Sequence, residues 1–299
     1  MSSRTARLAL SGYVLAGVVA YPFARPYLFV RSRKGKEDKQ RRKERYGITK
    51  IERPRGPLVW VHAASVGETL ALLPLIREIR SRDIHVLLTT GTVTSAELVK
   101  NRLGDQVIHQ YVPLDIKFAV ERFLNHWLPD AAITAESEIW PVTMIALSRK
   151  QIPQIRVNAR MSDRSFARWQ RRSDLAESLF SRLSMVVAQS DLDGERFRDL
   201  GAYPVVVSGN LKGDTDPPPC DETLLAKYRA QIGNRKTWAA ISTFDGEELA
   251  AGTVHQKLAK HCGLLTIIVP RHPDRADAIE AQLNGMGLKV ARRSRNDLI

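Results

Sequence analysis

Cysteine is almost absent: among 299 residues only Cys220 and Cys262 occur, far apart and with no C-x-x-C pair. That scarcity argues against a disulfide framework and a cysteine-built metal site, and it suits a reducing compartment. There is no G-x-G-x-x-G and no Walker sequence, so a dinucleotide or ATP site of those kinds has no direct support. G-x-S-x-G, H-E-x-x-H and an EF-hand loop are missing too, and no metal or cofactor is called for. Acidic residues are the scarce charge, 32 against 46 Lys and Arg, for a net +14. What remains is ordinary globular usage, 43% apolar and 26% charged, in a chain long enough for two domains with a sizeable core.

The excess charge is local. Residues 31–55 hold twelve Lys and Arg against four acids, a net +8. Just before them, residues 8–24 (LALSGYVLAGVVAYPFA) carry no charge at all. Seventeen residues is the short end of what spans a bilayer, where ~20 are usual. A short spanning or interfacial anchor competes with a signal peptide cleaved after Ala20. The cationic flank on the C-terminal side favours an anchor whose flank stays in the cytoplasm. Tyr21, Phe23, Tyr27 and Phe29 lie where an interfacial aromatic belt would be, and Pro22 and Pro26 break the segment. The basic run then suits an anionic membrane surface, at ~1 kcal/mol per Lys or Arg. A solvated helix face and nucleic acid are the other readings. Adjacency to the apolar segment favours membrane, and no nucleic-acid recognition module appears.

From residue 57, short apolar runs at 58–63, 85–90, 107–112, 131–135, 154–158, 185–188 and 205–208 alternate with amphipathic stretches such as 69–82. Most runs are continuous, as strands covered on both faces should be. The rhythm predicts an α/β fold with a doubly wound parallel sheet. Residues 212–219 (KGDTDPPP) read as an interdomain linker. Beyond it the expected order is helix 222–232, strand 237–242, helix 247–261, strand 264–269, helix 274–286 and strand 289–292. About three strands are few for an open α/β sheet, so the second lobe reads as incomplete and the chain as truncated.

Ligands of open α/β sheets bind at the carboxyl ends of the strands, and three polar clusters fall there. In the first, residues 62–68, Ser65 and Gly67 allow close approach to the backbone. Glu68 lies in the first turn of the next helix, where a carboxylate can serve as general base. The pattern S-x-x-E fits a capping box at least as well. The second, residues 135–141, sets Glu136 and Glu138 beside Trp140, suited to sugar hydroxyls or simply to starting a helix at Pro141. The third pairs residues 242–248, led by Ser242 and Thr243, with residues 270–273, which contain Arg271 and His272. Amides, hydroxyls and cationic groups at such turns suit phosphate, although polar turns alone would look the same.

In order along the chain, residues 41–47 (RRKERYG), 60–68 (WVHAASVGE), 89–97 (TTGTVTSAE), 111–115 (YVPLD), 136–141 (ESEIWP), 157–165 (VNARMSDRS), 188–197 (AQSDLDGERF), 209–212 (GNLK) and 270–275 (PRHPDR) resemble the Kdo transferases. These enzymes move 3-deoxy-manno-octulosonic acid (Kdo) from CMP-Kdo onto the lipid A precursor. The resemblance implies a two-lobed GT-B fold, with a membrane anchor at 1–30, a basic segment at 31–56, an acceptor lobe at 57–211, a linker at 212–220 and a donor lobe from 221. It implies an inverting, metal-independent displacement with Glu68 as base and no cofactor beyond the donor. Ser65, Gly67, Glu136 and Glu138 would then shape the acceptor side. Lys212, Ser242, Thr243, Arg271 and His272 would take the donor's phosphate, carboxylate and nucleotide. The implied partners are CMP-Kdo, the lipid A precursor and the anionic cytoplasmic face of the inner membrane, without nucleic acid. Two departures stand out. Phe244 replaces the histidine expected in S-T-H-E-G-E-E, and the family's later Gly-Gly-Ser and Asn-Pro-x-Glu segments are missing. The competing readings are another GT-B sugar-nucleotide transferase and a lipid-binding form without turnover.

Overall fold

The computed structural model describes residues 4–214, 220–260 and 262–299. The chain divides into two compact units, residues 1–216 and 217–299.

The first unit opens with α1 (Arg4–Ala20), a 3-10 turn at Tyr21–Phe23 and α2 (Ala24–Arg33). Together they form a 30-residue helical run long and apolar enough to cross a membrane. One stripe of α1 packs on the lobe: Leu10 joins the core around Phe180 and Leu183. Thr5 donates to Asp174 at 3.1 Å and Tyr13 to Asp115 at 3.3 Å. Leu8, Leu15, Val19 and Phe23 face outward, each more than half exposed.

Seven strands follow: β1 (Leu58–Ala63), β2 (His85–Thr90), β3 (Ile108–Tyr111), β4 (Ala131–Ala135), β5 (Gln154–Ala159), β6 (Met185–Ala188) and β7 (Val205–Val207). They form one sheet in the order β3-β2-β1-β4-β5-β6-β7, and every pair is parallel. Between them run α3 (Val66–Ser81), α4 (Val93–Leu103), α5 (Lys117–Trp127), α6 (Pro141–Arg149), α7 (Asp163–Gln170), α8 (Ser173–Phe180) and α9 (Asp191–Asp199). The two-residue period of β1 explains the layering. Val61 and Ala63 enter a core with Leu72, Ile76 and Val99, whereas Leu58 and Trp60 enter another with Phe123 and Trp127. The chain reverses its direction across the sheet between β1 and β4, and the crevice above their carboxyl ends is where such a sheet binds ligands.

The basic segment is partly absorbed into this lobe. Arg45 is buried and pairs with buried Glu37 at 3.0 Å, while Arg41 donates to the carbonyl of His109 at 2.8 Å. Arg33, Lys34, Lys36, Lys39, Lys43, Lys50 and Arg55 stay exposed, so they are the part still available to an anionic surface. Gly47 ends this stretch at φ 72°, where a Cβ would lie 2.1 Å from the carbonyl oxygen of Ala119, so only glycine fits.

The second unit contains α10 (Glu222–Ile232), β8 (Lys236–Thr243), α11 (Glu247–Leu258), β9 (Leu264–Pro270) and α12 (Ala276–Gly285). β8 and β9 pair in parallel, with Trp238 opposite Thr266. Parallel sheets are normally covered on both faces, yet Ile241 and Val269 are 69% and 46% exposed.

Most expected elements are present with shifted ends. The helix expected at 69–82 begins at Val66, because Ser65 caps it. Of the expected linker, Leu211–Asp214 forms a 3-10 turn and residues 215–219 lie outside the described residues, as does residue 261, the expected end of α11. The strand expected at 289–292 does not form. The Arg292 amide donates to the Asp297 carboxylate at 2.7 Å, and the Arg292 guanidinium pairs with Asp277 and Glu280 of α12. The segment is thereby tied to a helix rather than to a strand edge.

Candidate functional site

The turn between β1 and α3 is built around two side chains. Ser65 is the N-cap, and its hydroxyl accepts from the Glu68 amide at 3.3 Å. The same hydroxyl donates to Glu68 Oε1 at 2.9 Å, and the Ala64 amide donates to Oε2 at 2.8 Å. This is a reciprocal cap, with the carboxylate reaching one residue further back than in the usual capping box. Each Glu68 oxygen receives one hydrogen bond, which leaves lone pairs for a further proton. Burial raises the Glu68 pKa above its ordinary value; the bonds from Ala64 and Ser65 oppose this, and the charges of Glu138 and Glu136 add to it. Gly67 sits in open space, with nothing within 4 Å of where a Cβ would be.

The β4–α6 turn supplies the facing acids. Glu136 adopts a left-handed φ of 49°, and its amide donates to Val157 at 3.0 Å. Lys212, assigned by resemblance to the donor, lies in the first unit and pairs with Glu136 at 3.1 Å. The structure therefore brings together Ser65, Gly67, Glu68, Glu136, Glu138 and Lys212. Asp115, from the β3–α5 turn, accepts from the Val142 and Thr143 amides at 3.1 and 2.8 Å and so fixes the start of α6.

Beneath these turns lies a buried polar layer. His62 is 1% exposed, with Nδ1 3.1 Å from the Thr89 carbonyl and 3.0 Å from its hydroxyl. Burial lowers its pKa to about 4, helped by the charges of Arg45 and Arg156 and opposed by the bond to Thr89. The ring is thus neutral at pH 7, carrying its hydrogen on Nδ1 toward Thr89. Its Nε2 has no protein partner, and the ring meets Trp140 edge-on at 6.3 Å. Arg156 on β5 is 1% exposed; burial lowers its pKa to about 10, and its guanidinium donates to the Glu138 carbonyl. Arg156 Nε and Asn158 Nδ2 are also buried without a partner. Such unmet donors beneath a crevice mark it as a place for polar ligand groups. His62 and Asn158 are legible in the sequence only as members of the segments 60–68 and 157–165, and Arg156 only as a member of the run at 154–158. Arg156 carried a signal of its own, because a charge interrupts the apolar run of an inner strand.

In the second unit the β8–α11 turn uses its own polar groups. Thr243 is buried and donates to Glu248 at 2.9 Å, so its proton points inward. Burial pushes the Glu248 carboxyl up, and the bonds from Arg275 and Thr243 overcome this to leave it below its ordinary pKa. Ser242 holds φ 61°, and the Arg271 amide donates to the Thr243 carbonyl at 3.0 Å. Phe244 is half-exposed and meets the His272 ring edge-on at 6.0 Å, offering an apolar face where the resemblance expects a hydrogen-bonding one. Ser242, Thr243, Arg271 and His272 are thus neighbours at one edge of this unit.

A family model described as 3-deoxy-D-manno-octulosonic-acid transferase (kdotransferase) matches residues 40–215. The chain is 39% identical over 284 residues to the probable mitochondrial 3-deoxy-D-manno-octulosonic acid transferase of Arabidopsis thaliana, covering 91% of this chain and 63% of that one. It is 33% identical to the 3-deoxy-D-manno-octulosonic acid transferase of Rickettsia bellii, with 96% and 69% covered. With that of Haemophilus influenzae it shares 34% identity, with 94% and 67% covered. The chain therefore spans about two thirds of the length of these relatives. Among solved structures it is similar to a glycosyltransferase from Rickettsia africae, with a TM-score of 0.56, 13% identity, and 79% of this chain and 66% of that one covered. It is also similar to the UDP-GlcNAc 2-epimerase of Neisseria meningitidis bound to UDP-GlcNAc, at TM-score 0.54, 14% identity, and 77% and 70% coverage. These two likenesses speak to the fold, which is α/β of the GT-B kind.

Proposed function

The chain belongs to the 3-deoxy-D-manno-octulosonic acid (Kdo) transferase family, and from that premise we propose that it transfers Kdo from CMP-Kdo to the lipid A precursor at a membrane surface. The observation that carries this reading is Glu68: a buried carboxylate with a raised pKa, held by two hydrogen bonds at a sheet crevice. In the proposed step an acceptor hydroxyl gives its proton to Glu68 as its oxygen attacks the anomeric carbon of Kdo. The C–O bond to the CMP phosphate breaks, CMP leaves with the electron pair, and configuration inverts. A base whose pKa is shifted toward the working pH is suited to this, and such a base contributes ~10²–10⁴ in rate. Ser65, Gly67, Glu136 and Glu138 line the acceptor side, while Ser242, Thr243, Arg271, His272 and Lys212 are assigned to the donor.

Both substrates are anionic, so the net +14 would speed their encounter. The apolar helical run and the exposed lysines suit the cytoplasmic face of an inner membrane, where such a precursor would reside. The reaction is proposed to need no metal. The test is a transfer assay with CMP-Kdo and tetra-acylated lipid A precursor, with and without chelator. Transfer that survives chelation and is lost in Glu68→Gln supports the proposal. Turnover only with a different sugar nucleotide would reassign the donor. Binding of the precursor with no turnover on any donor would leave a lipid-binding protein.

A further inference from the structure

A groove of about 570 Å³ runs between α1 and the helices α5, α6 and α8 of the first unit. That volume is within the roughly 300–1,000 Å³ range of small-molecule sites. Its floor is apolar, made by Leu10, Val14 and Val18 from α1 and by Val142, Ile145 and Ala146 from α6. Its charged lining is one-sided: Arg7, Lys117, Arg149 and Arg182 against the single carboxylate of Glu121. Among the described residues Arg7, Lys117 and Arg149 make no ion pair. Arg149, the last residue of α6, and Arg182, beyond the end of α8, both line the groove, and Arg182 Nη1 donates to the Ser148 hydroxyl, one residue before Arg149, at 3.1 Å. Burial first, and then the Arg149 charge, hold Arg182 below its ordinary pKa. Two guanidiniums that repel one another at one end of an apolar trough are matched by a phosphate.

Which phosphate follows from where the pair sits. α6 begins at Pro141 beside the Glu68 crevice and ends at Arg149, about 12 Å of helical rise away. The Arg pair therefore lies at the far end of the helix from the candidate base. The groove is also continuous with the outward apolar face of α1, since Leu15 lines it while 63% exposed.

We propose that this groove is a binding site for one anionic bilayer phospholipid, its acyl chain along α1 and α6 and its phosphate between Arg149 and Arg182. The bound lipid would complete the packing of α1 against the lobe and seat the crevice at the membrane surface, on a site separate from that of the sugar acceptor.

The test is native mass spectrometry of the full chain in nonionic detergent, titrated with palmitoyl-oleoyl phosphatidylglycerol or phosphatidylcholine. One phosphatidylglycerol should be retained, with phosphatidylcholine weaker by roughly tenfold. Arg149→Gln/Arg182→Gln and the groove-filling Ala146→Trp should each abolish retention, with the far-UV spectrum unchanged. Lys100→Gln, exposed on α4 and not part of the groove lining, should leave it intact. If Ala146→Trp fails to fold, Arg149→Gln alone, at an exposed site, should weaken retention. Equal retention of both lipids, or retention unaffected by the arginine changes, overturns the proposal. Displacement by inorganic phosphate would show a free-anion site, and competitive displacement by lipid A precursor an acceptor site; either outcome overturns it too.

Discussion

Arg45 and Glu37 form a buried two-point ion pair, with both contacts at 3.0 Å and both residues under 10% exposed. The remaining Arg45 donors reach the carbonyls of Val112 at 3.1 Å and Gly91 at 2.6 Å. Gly91 in turn backs onto Ala64, whose carbonyl oxygen would be 3.0 Å from any Cβ added there. Ala64 is the residue whose amide holds Glu68, so Arg45 supports the candidate base from two residues away. Removing one member of a buried pair leaves an uncompensated charge and costs ~3–5 kcal/mol. Glu37→Gln is therefore expected to lower the urea midpoint markedly, whereas Lys36→Gln, one residue earlier and exposed, should lie within ~0.5 kcal/mol of the parent. Equal midpoints for the two variants would show that the pair is not structural.

Glu68 combines a cap with a proposed base, and the two roles separate by substitution. Glu68→Gln preserves size and one acceptor oxygen, so stability should change by no more than ~1 kcal/mol while kcat falls by ~10²–10⁴. Ser65→Ala removes the cap and should cost ~0.5–2 kcal/mol. Because the folded Glu68 pKa is raised, the acid limb of kcat/KM should have its midpoint above the ordinary carboxylate value. Linkage runs the same way: stability from the protonated form is complete below the unfolded pKa and is lost as pH rises through the folded one. A Gln variant whose kcat stays within twofold of the parent would remove Glu68 from the chemistry.

His62 makes the opposite prediction. Its pKa is lowered from 6.5 to about 4, so the unfolded chain binds the extra proton first on acidification. The stability it contributes is present above pH 6.5 and is lost as pH falls toward 4, in all about 3 kcal/mol. His109, lowered to about 3 by burial and by Arg41 and Arg45, acts in the same direction. His62→Gln should flatten the decline between pH 6.5 and 4 in a urea titration without abolishing it. An unchanged slope would mean that the ring is protonated, or solvated, in the folded protein.

These contacts mark the boundary of what the sequence could show. Strand positions and the Ser65–Glu68 cap are written locally, in apolar period and in S-x-x-E, and both were legible. Arg45 was legible only as one charge in a basic run, because its partners Gly91 and Val112 lie 46 and 67 residues away. Lys212 looked like a donor ligand from its motif, and its pairing with Glu136 spans 76 residues. The run at 289–292 has strand-like Val290 but no ladder partner, and Asp277 and Glu280 draw its arginines onto α12 instead. Local pattern announces elements; which charge meets which is settled by chain crossings that no local pattern contains.

Arg156 tests whether a buried charge serves the site or the fold. It is fully enclosed on β5, its hydrogen bond goes to a backbone carbonyl, and no carboxylate pairs with it among the described residues. A buried charge without a carboxylate partner costs folding free energy, and an apolar side chain of similar volume removes that cost. Arg156→Met should therefore leave stability unchanged or raised. The same change frees the Glu138 carbonyl and removes a positive charge beside His62, loosening the turn that carries Glu136, Glu138 and Trp140. The expected outcome is a kcat/KM lowered by ~10-fold or more, with KM for the acceptor rising more than kcat falls. Arg156→Lys keeps the charge, with only one short donor reach, and should restore part of the KM. A stability loss of ~3 kcal/mol or more in Arg156→Met, with activity per folded molecule unchanged, would make Arg156 a structural residue and remove it from the site.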